Sequence, residues 1–466
     1  MQRALQTAPK SSAADSLTAA LVAHASALAR GPLDADTIER ARQCVLDWSG
    51  AALAGSSEPL AQILLAQAHV DGGKPIASIV QGGCRLSIRQ AALINGAAGH
   101  ALDYDDANVA AQGHVTAAVL PAAMAVAEAR GASGAALLRA FVAGYEMAGR
   151  VGQYLGRAHY DRGFHGTVTI GSFGAACAAS MLMDLDNATT AVALGIAGTQ
   201  AGGVKAQFGT MCKPLHAGKA GENGVTGAQL AARGFTGCAD LLEAVQGYGA
   251  AMSPSVDTQA ALARPSGGSH LHNNLFKYHA ACFGTHASIE AVRALCETHH
   301  LTPSDIERIV LEVEPDAQRM CDIARPATGL QAKFSLRLNA ALAVFDENTA
   351  APQTYSDATA GRTDLAALRD RVQVRFMPQD WPRMTAAVHI TTRDGRTLEG
   401  RHDSSVPDTD LKHQRERLEQ KFKALAEPQV GARRAAEIMR AIGALEHMKD
   451  VGELMSLLRQ SRRTVS

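Results

Sequence analysis

Residues 34–55 read DADTIERARQCVLDWSGAALAG, and this stretch shows the dominant pattern of the chain. Its apolar side chains recur at steps of three and four residues: Ile38, Ala41, Val45, Trp48 and Ala52. Polar residues occupy the opposite face, and Asp34 or Asp36 can cap the helix start. The stretch therefore predicts an amphipathic helix with one buried face.

Similar helical patterns, rich in alanine, leucine and valine, fill the rest of the first half. They include AALINGAAGHALDYDD, TAAVLPAAMAVAEARG, GAALLRAFVAGYEMAGRVG and GSFGAACAASMLMDL, which are separated by short glycine-containing turns. Small residues allow helices to pack closely. The first half is therefore predicted to be all-helical.

The pattern changes near ARPSGGSHLHNN at residues 263–274, whose proline, glycine and serine content suits a domain boundary. Beyond it, IERIVLEVEP, VQVRF and AAVHITTRDGRTLEGRHD predict strands, with a hairpin turn at Asp394-Gly395. Helical patterns return after Pro407. We expect a flexible arm over residues 1–15, a helical domain over 16–268 and 406–466, and an inserted α/β domain over 269–405.

Composition excludes several classes of protein. The 466 residues carry 45 basic and 45 acidic side chains, so no net charge favours nucleic acid or a membrane surface. Neither a secretory signal nor a long apolar run is evident, which predicts a cytoplasmic protein. The eight cysteines form no CxxC pair and predict neither a disulfide framework nor a zinc site.

The motif HALDYDD at residues 100–106 crowds three carboxylates, and His114 follows shortly after. Crowded carboxylates beside an imidazole suit proton transfer, although a solvated acidic loop is the simpler interpretation. A second motif, GFHGT, places His165 and Thr167 at a helix start, where amides and hydroxyls can bind a carboxylate. A capping or core histidine is the alternative there.

The stretch CKPLHAGKAGENG at residues 212–224 combines cations with small residues. Pro214 is expected to form a turn that fixes Lys213 and His216, while the glycines let a ligand approach the backbone. Lys219 is expected to face solvent. Lys213 could then stabilise the negative charge that develops beside a substrate carboxylate, although a polar turn is the alternative.

Three other patterns are weaker signals. The histidines of HLHNNLFKYHAACFGTH lack metal-ligand spacing and are expected at a domain interface. GIAGTQAGG lacks the strand context of a nucleotide loop. Ser172 and Cys177 have no nucleophile elbow around them. We therefore expect no metal, no nucleotide and no covalent intermediate.

Together the motifs GHALDYDDAN, GFHGT, KPLHAGKAGENGV, FKYHAACFGTHASIEA and AKFSL resemble the MmgE/PrpD family over about residues 17–460. That family includes 2-methylcitrate dehydratase, cis-aconitate decarboxylase and iminodisuccinate epimerase. The resemblance implies a cofactor-independent enzyme, usually a homodimer, acting on a small di- or tricarboxylate. It also implies a mainly α fold that has a large helical domain, a smaller inserted α/β lid domain and the active site in the cleft between them.

Matching the family motifs residue by residue gives the candidate site. The implied catalytic residues are Asp103, His114, His165 and Lys213. The implied substrate-binding residues are Thr167, His216, Lys277, Cys282 and His286. One of the two catalytic histidines would act as base or acid, the lysine would bind a carboxylate, and the aspartate would orient a histidine.

The sequence also departs from the family pattern. Gly166 replaces a proline, His279-Ala280 replaces a Tyr-Pro, Ala107 replaces a hydroxyl residue of the decarboxylases, and Leu338 replaces a tyrosine. We expect a dehydratase of the 2-methylcitrate type, with an epimerase or a decarboxylase as alternatives. A non-catalytic carboxylate-binding protein is the remaining hypothesis.

Overall fold

The computed structural model describes residues 16–460. The predicted arm, residues 1–15, lies outside this range. The described chain forms two compact units: one contains the residues up to Asn274 and from Ala426 onward, and the other contains Leu275–Leu425. The inserted unit thus runs from 275 to 425, whereas the sequence placed it at 269–405.

Most of the described chain is helical, as predicted. The helices are α1 (Leu17–Arg30), α2 (Ala35–Gly55), α3 (Pro59–Asp71), α4 (Ile88–His100), α5 (Val115–Arg130), α6 (Gly134–Asp161), α7 (Gly166–Thr169), α8 (Gly171–Leu182), α9 (Asn187–Gly198), α10 (Cys212–Ala231), α11 (Tyr248–Met252), α12 (Thr258–Leu262), α13 (His286–His299), α14 (Ala317–Cys321), α15 (Gly329–Ala332), α16 (Leu336–Val344), α17 (Asp357–Ala360), α18 (Thr363–Arg369), α19 (Leu411–Val430), α20 (Ala432–Gly443) and α21 (Gly452–Arg459). Asp34 caps α2 by accepting from the backbone of Thr37. No helix among residues 16–460 is both long and apolar enough to cross a bilayer.

Eight strands complete the described structure. They are β1 (Ala77–Ser78), β2 (Arg85–Leu86), β3 (Ala107–Asn108), β4 (Asn274–Leu275), β5 (Ile306–Val313), β6 (Val372–Phe376), β7 (Thr385–Thr392) and β8 (Thr397–Asp403). The short antiparallel pair β1 and β2 lies in the first half. The prediction of an all-helical first half is wrong at this point. Each of these strands has only two residues, which is too short to produce a recognisable alternation of polar and apolar side chains.

The inserted unit contains a four-stranded sheet in the order β6-β5-β7-β8. Strand β5 is parallel to β6 and antiparallel to β7. Strands β7 and β8 form the predicted hairpin, and Gly395 in its turn has a φ of 88°, which suits glycine. The three predicted strand segments are therefore confirmed.

Glycines bring helices close together in the first unit. A Cβ atom on Gly96 would lie 2.9 Å from the Cα atom of Gly218, and one on Gly218 would lie 2.1 Å from the carbonyl oxygen of Leu93. Helices α4 and α10 can therefore approach to backbone contact. The expectation that the glycines of CKPLHAGKAGENG make room for a ligand is wrong for Gly218, because the neighbouring helix fills that space.

Two segments differ from their predicted roles. The stretch 263–274 belongs to the first unit, where the backbone N–H of His270 donates to Glu146 Oε2 at 2.8 Å. The first part of α19 belongs to the second unit, because Arg417 pairs there with Glu290 and lies 3.7 Å from the ring centre of Tyr278. Contacts of this kind join residues that are far apart in the sequence, and they determine to which unit each segment belongs.

Candidate active site

The HALDYDD motif lies where α4 ends. The helix stops at His100, and Asp103 turns the chain with a φ of 51°, a left-handed conformation that aspartate tolerates better than most residues. Asp105 and Asp106 are then buried, whereas the side chain of Asp103 is 53% exposed. The three crowded carboxylates thus have different surroundings, which the simple reading of a solvated acidic loop does not explain.

Asp105 lies between two imidazoles. Its Oδ1 accepts from His100 Nδ1 at 2.8 Å, and its Oδ2 is 3.1 Å from His114 Nδ1. Burial alone would raise the pKa of Asp105, but the two imidazoles outweigh it and hold this pKa well below its usual range. Burial lowers the pKa of His100 to about 4, so Asp105 is ionised and His100 is neutral at pH 7.

His114 connects this buried carboxylate with the exposed part of the site. Its Nδ1–H donates to the carbonyl oxygen of Asp106 at 2.7 Å. Its Nε2 therefore points the other way and lies 3.5 Å from Asp103 Oδ1. An imidazole with a buried carboxylate beside one nitrogen and an exposed carboxylate beside the other is suited to proton transfer.

Lys213 completes the exposed part. It lies in the first turn of α10, and its Nζ is 2.8 Å from Asp103 Oδ2 and 5.4 Å from the ring centre of Phe208. The predicted turn at Pro214 is instead helix, since proline fits the first turn of a helix without losing a hydrogen bond. Lys219, farther along α10, pairs with Glu222 and is partly exposed, in line with the expectation that it faces solvent.

A second group of side chains contacts the backbone of His114. The Thr167 hydroxyl accepts from the backbone N–H of His114 at 3.1 Å and lies 2.8 Å from His165 Nε2. We infer that the hydroxyl donates to Nε2, so that His165 carries its proton on Nδ1 and donates to His216 Nδ1 at 3.0 Å. Burial lowers the pKa of both histidines, so both rings are neutral at pH 7.

The remaining predicted site residues lie in the second unit. His286 is buried against His279 and Phe283, at ring distances of 4.8 and 5.0 Å. Lys277 Nζ is 5.8 Å from the ring centre of Phe283. Cys282 is half-buried in the same segment. A role of Lys277, Cys282 and His286 in substrate binding stays a prediction.

The structure adds two residues that the sequence analysis did not assign to the site, His100 and Asp105. Both belong to the HALDYDD motif, in which the sequence alone does not distinguish buried from exposed members. The ring centres of His100 and His114 are only 4.3 Å apart. The tertiary structure, which places Asp105 Oδ2 3.1 Å from His114 Nδ1, identifies Asp105 as the carboxylate behind His114.

The same side chains could offer ligands to a metal ion. Ligand atoms of His100, Asp103, Asp105 and His114 all lie within 4.8 Å of one another. Nitrogen and carboxylate donors of this kind suit zinc or another divalent transition metal. The sequence predicts no metal, on the spacing of the cysteines and of the histidines in HLHNNLFKYHAACFGTH, and this cluster of HALDYDD and His114 was not considered as a ligand set. The hydrogen bonds described above already occupy the Nδ1 atoms of both histidines.

Comparisons with known proteins agree on one relationship. The model of the MmgE/PrpD N-terminal domain matches residues 19–261, and that of the MmgE/PrpD C-terminal domain matches residues 279–446. Cis-aconitate decarboxylase from Homo sapiens is 29% identical over 92% of each chain. The proteins of the same name from Mus musculus and Aspergillus terreus strain NIH 2624 are 30% and 27% identical, over 80% and 96% of this chain and 79% and 97% of theirs.

Proposed function

Because the chain belongs to the MmgE/PrpD family, we propose that it is a lyase that removes carbon dioxide from a small unsaturated tricarboxylate such as cis-aconitate. The resemblance stated in the sequence analysis favours a dehydratase. The relatives favour the decarboxylase alternative, because the similar proteins named above all carry that name.

The observation that carries the proposal is the arrangement of Asp105, His114 and Lys213. Loss of carbon dioxide next to a double bond pushes the electrons of the broken carbon–carbon bond into a new double bond. The far carbon of the old double bond then takes a proton. The reaction therefore needs a proton donor and a cation that binds the remaining carboxylates. Unlike a dehydration, it needs no group that helps a hydroxide ion to leave.

His114 is suited to donate that proton. Its Nε2 faces the exposed side of the site, and Asp105 Oδ2 lies 3.1 Å from its other nitrogen. A buried carboxylate there stabilises the protonated imidazole without competing for Nε2. Because Leu338 is buried and brings no hydroxyl, we assign no role as donor to that position.

Lys213 is suited to bind a substrate carboxylate. Its ammonium group is held 2.8 Å from Asp103 Oδ2, and the exposed side chain of Asp103 can yield this contact to a ligand. The lysine would then hold a carboxylate that is retained, close to where negative charge develops. Neutral His165 and His216 would fix Thr167 and, through it, the backbone of His114.

The test is proton NMR in D2O of the purified protein with cis-aconitate, 2-methylcitrate, citrate, malate and iminodisuccinate. We expect cis-aconitate to lose carbon dioxide and to give a dicarboxylate with two new vinyl signals and one deuterium. Turnover should be lost in Lys213→Ala and retained in Lys219→Ala, whose lysine lies on the same helix but pairs with Glu222.

Other outcomes would redirect or end the proposal. Loss of water from 2-methylcitrate without change in cis-aconitate would make the protein a dehydratase. Inversion of a substrate with exchange but no elimination would make it an epimerase. Binding of these carboxylates without turnover or deuterium exchange would support the non-catalytic hypothesis.

A further inference from the structure

Two thiols of the second unit, those of Cys282 and Cys321, lie next to each other. Cys321 Sγ is 3.0 Å and Cys282 Sγ is 3.9 Å from the position that a Cβ atom on Gly284 would take. Both sulfur atoms therefore lie within 4 Å of one point beside a residue without a side chain. The two thiols are also hydrogen-bonded to each other, and neither forms a disulfide.

The two cysteines differ in accessibility. Cys282 is half-buried, whereas Cys321 is buried at the end of α14. The hydrogen bond with Cys282, burial and the nearby charges of Glu314 and Asp322 all raise the pKa of Cys321. Of the two, Cys282 is therefore the thiol that a reagent can reach.

The backbone holds both cysteines in place. The N–H of Cys282 donates to the carbonyl oxygen of Lys333 at 2.9 Å, and its own carbonyl oxygen accepts from the backbone and the hydroxyl of Thr285. Helix α14 packs against the turn Phe283–Thr285. Formation of a disulfide bond of about 2 Å needs the two side chains to rotate towards each other.

We propose that Cys282 and Cys321 are a redox site that closes to a reversible disulfide by exchange with a low-molecular-weight disulfide such as oxidised glutathione. The Cys282 thiolate attacks one sulfur of the reagent, forms a mixed disulfide and releases one small thiolate. The Cys321 thiolate then attacks Cys282 Sγ and releases the second. The protein loses two electrons and two protons, and the reagent gains them as two thiols.

In a reducing compartment, disulfides are usually transient, catalytic or redox-sensing. Two neighbouring thiols that are free in the structure suit such reversible chemistry. A closed bond would tie the turn after Cys282 to α14, two segments that are far apart in the sequence. The inference depends only on the two thiols and not on the reaction proposed above.

The experiment uses the full chain, reduced and then incubated with oxidised glutathione, quenched with N-ethylmaleimide and mapped by mass spectrometry. In the wild type we expect a peptide pair linked through Cys282 and Cys321 that dithiothreitol separates. In Cys321→Ser the glutathione adduct on Cys282 should persist, and in Cys282→Ser the link and this adduct should both be absent. Cys296→Ser, which removes another half-buried thiol of the same unit, is the matched control and should behave like the wild type.

Three results would overturn the proposal. One is a wild-type protein in which Cys282 keeps its glutathione adduct, since Cys321 would then not resolve it. Another is a linked pair that also forms in Cys321→Ser through a different cysteine. The third is absence of any reaction at Cys282 while the folded protein, checked by circular dichroism, reacts at other cysteines.

Discussion

Replacement of Asp105 by asparagine tests whether the buried carboxylate acts through His114. Asparagine has the same shape, and its Oδ1 can still accept from His100 Nδ1. The amide removes the negative charge 3.1 Å from His114 Nδ1 but leaves that nitrogen its bond to the Asp106 carbonyl. The substitution therefore changes the charge behind the imidazole more than its position.

The magnitude follows from the interaction of the two charges. Opposite unit charges about 4 Å apart attract by about 4 kcal/mol at an effective dielectric constant of about 20. If the protonated imidazole loses this stabilisation, kcat should fall by about 10³-fold. KM should change much less, because Asp105 is buried behind His114 and does not reach the exposed side of the site.

The assay is turnover of cis-aconitate by the variant, with thermal unfolding to confirm the fold. Asp184→Asn, an exposed aspartate paired with Arg130, is the matched control and should keep the wild-type rate. A double-mutant cycle gives a sharper comparison. In a His114→Ala background, Asp105→Asn should lower kcat by almost nothing more. A folded variant with a kcat within about threefold of the wild type, or costs that add in the double mutant, would refute the reasoning.

Three further predictions concern stability and metal. Burial and the charge of Asp47 raise the pKa of Asp106 from 3.8 to about 7. The folded protein therefore binds this proton more tightly than the unfolded chain does, and the free energy of unfolding falls as the pH rises from about 4 to about 7. In urea unfolding, Asp106→Asn should therefore raise the free energy of unfolding above that of the wild type by more at pH 8 than at pH 4. An equal difference at both pH values would contradict this. Gly218→Ala should lower the free energy of unfolding by about 1–3 kcal/mol, because its Cβ would meet the Leu93 carbonyl at 2.1 Å. Gly443→Ala, with no atom within 4 Å, should cost nothing in the same thermal melts; similar losses in both variants would exclude the clash as the cause. Dialysis against EDTA should leave turnover unchanged, whereas a loss that a divalent ion restores would show that the four ligating side chains hold a metal.

Local features of the sequence determined most of the secondary structure. The spacing of apolar residues in 34–55 predicted α2, with Asp34 as one of two suggested caps, and the alternation around Asp394-Gly395 predicted the β7–β8 hairpin. Helix period, capping and turn formation depend on residues a few positions apart, so one sequence is enough to reveal them. The motifs also indicated that Asp103, His114, His165 and Lys213 belong together, and the structure gathers all four in the first unit.

Contacts between distant segments decided the rest. Asp105 and Asp106 of HALDYDD are both buried, and the tertiary structure decides that Asp105 Oδ2 lies 3.1 Å from His114 Nδ1. It also brings Gly96 of α4 against Gly218 of α10. Contacts between distant segments also determine the role of those glycines, the boundaries of the inserted unit and the contact of Cys282 with Cys321. The sequence by itself determined the helices, the hairpin and the chemical types of the site residues, whereas the tertiary structure decided their partners, because close packing is what brings side chains far apart in the chain within reach of each other.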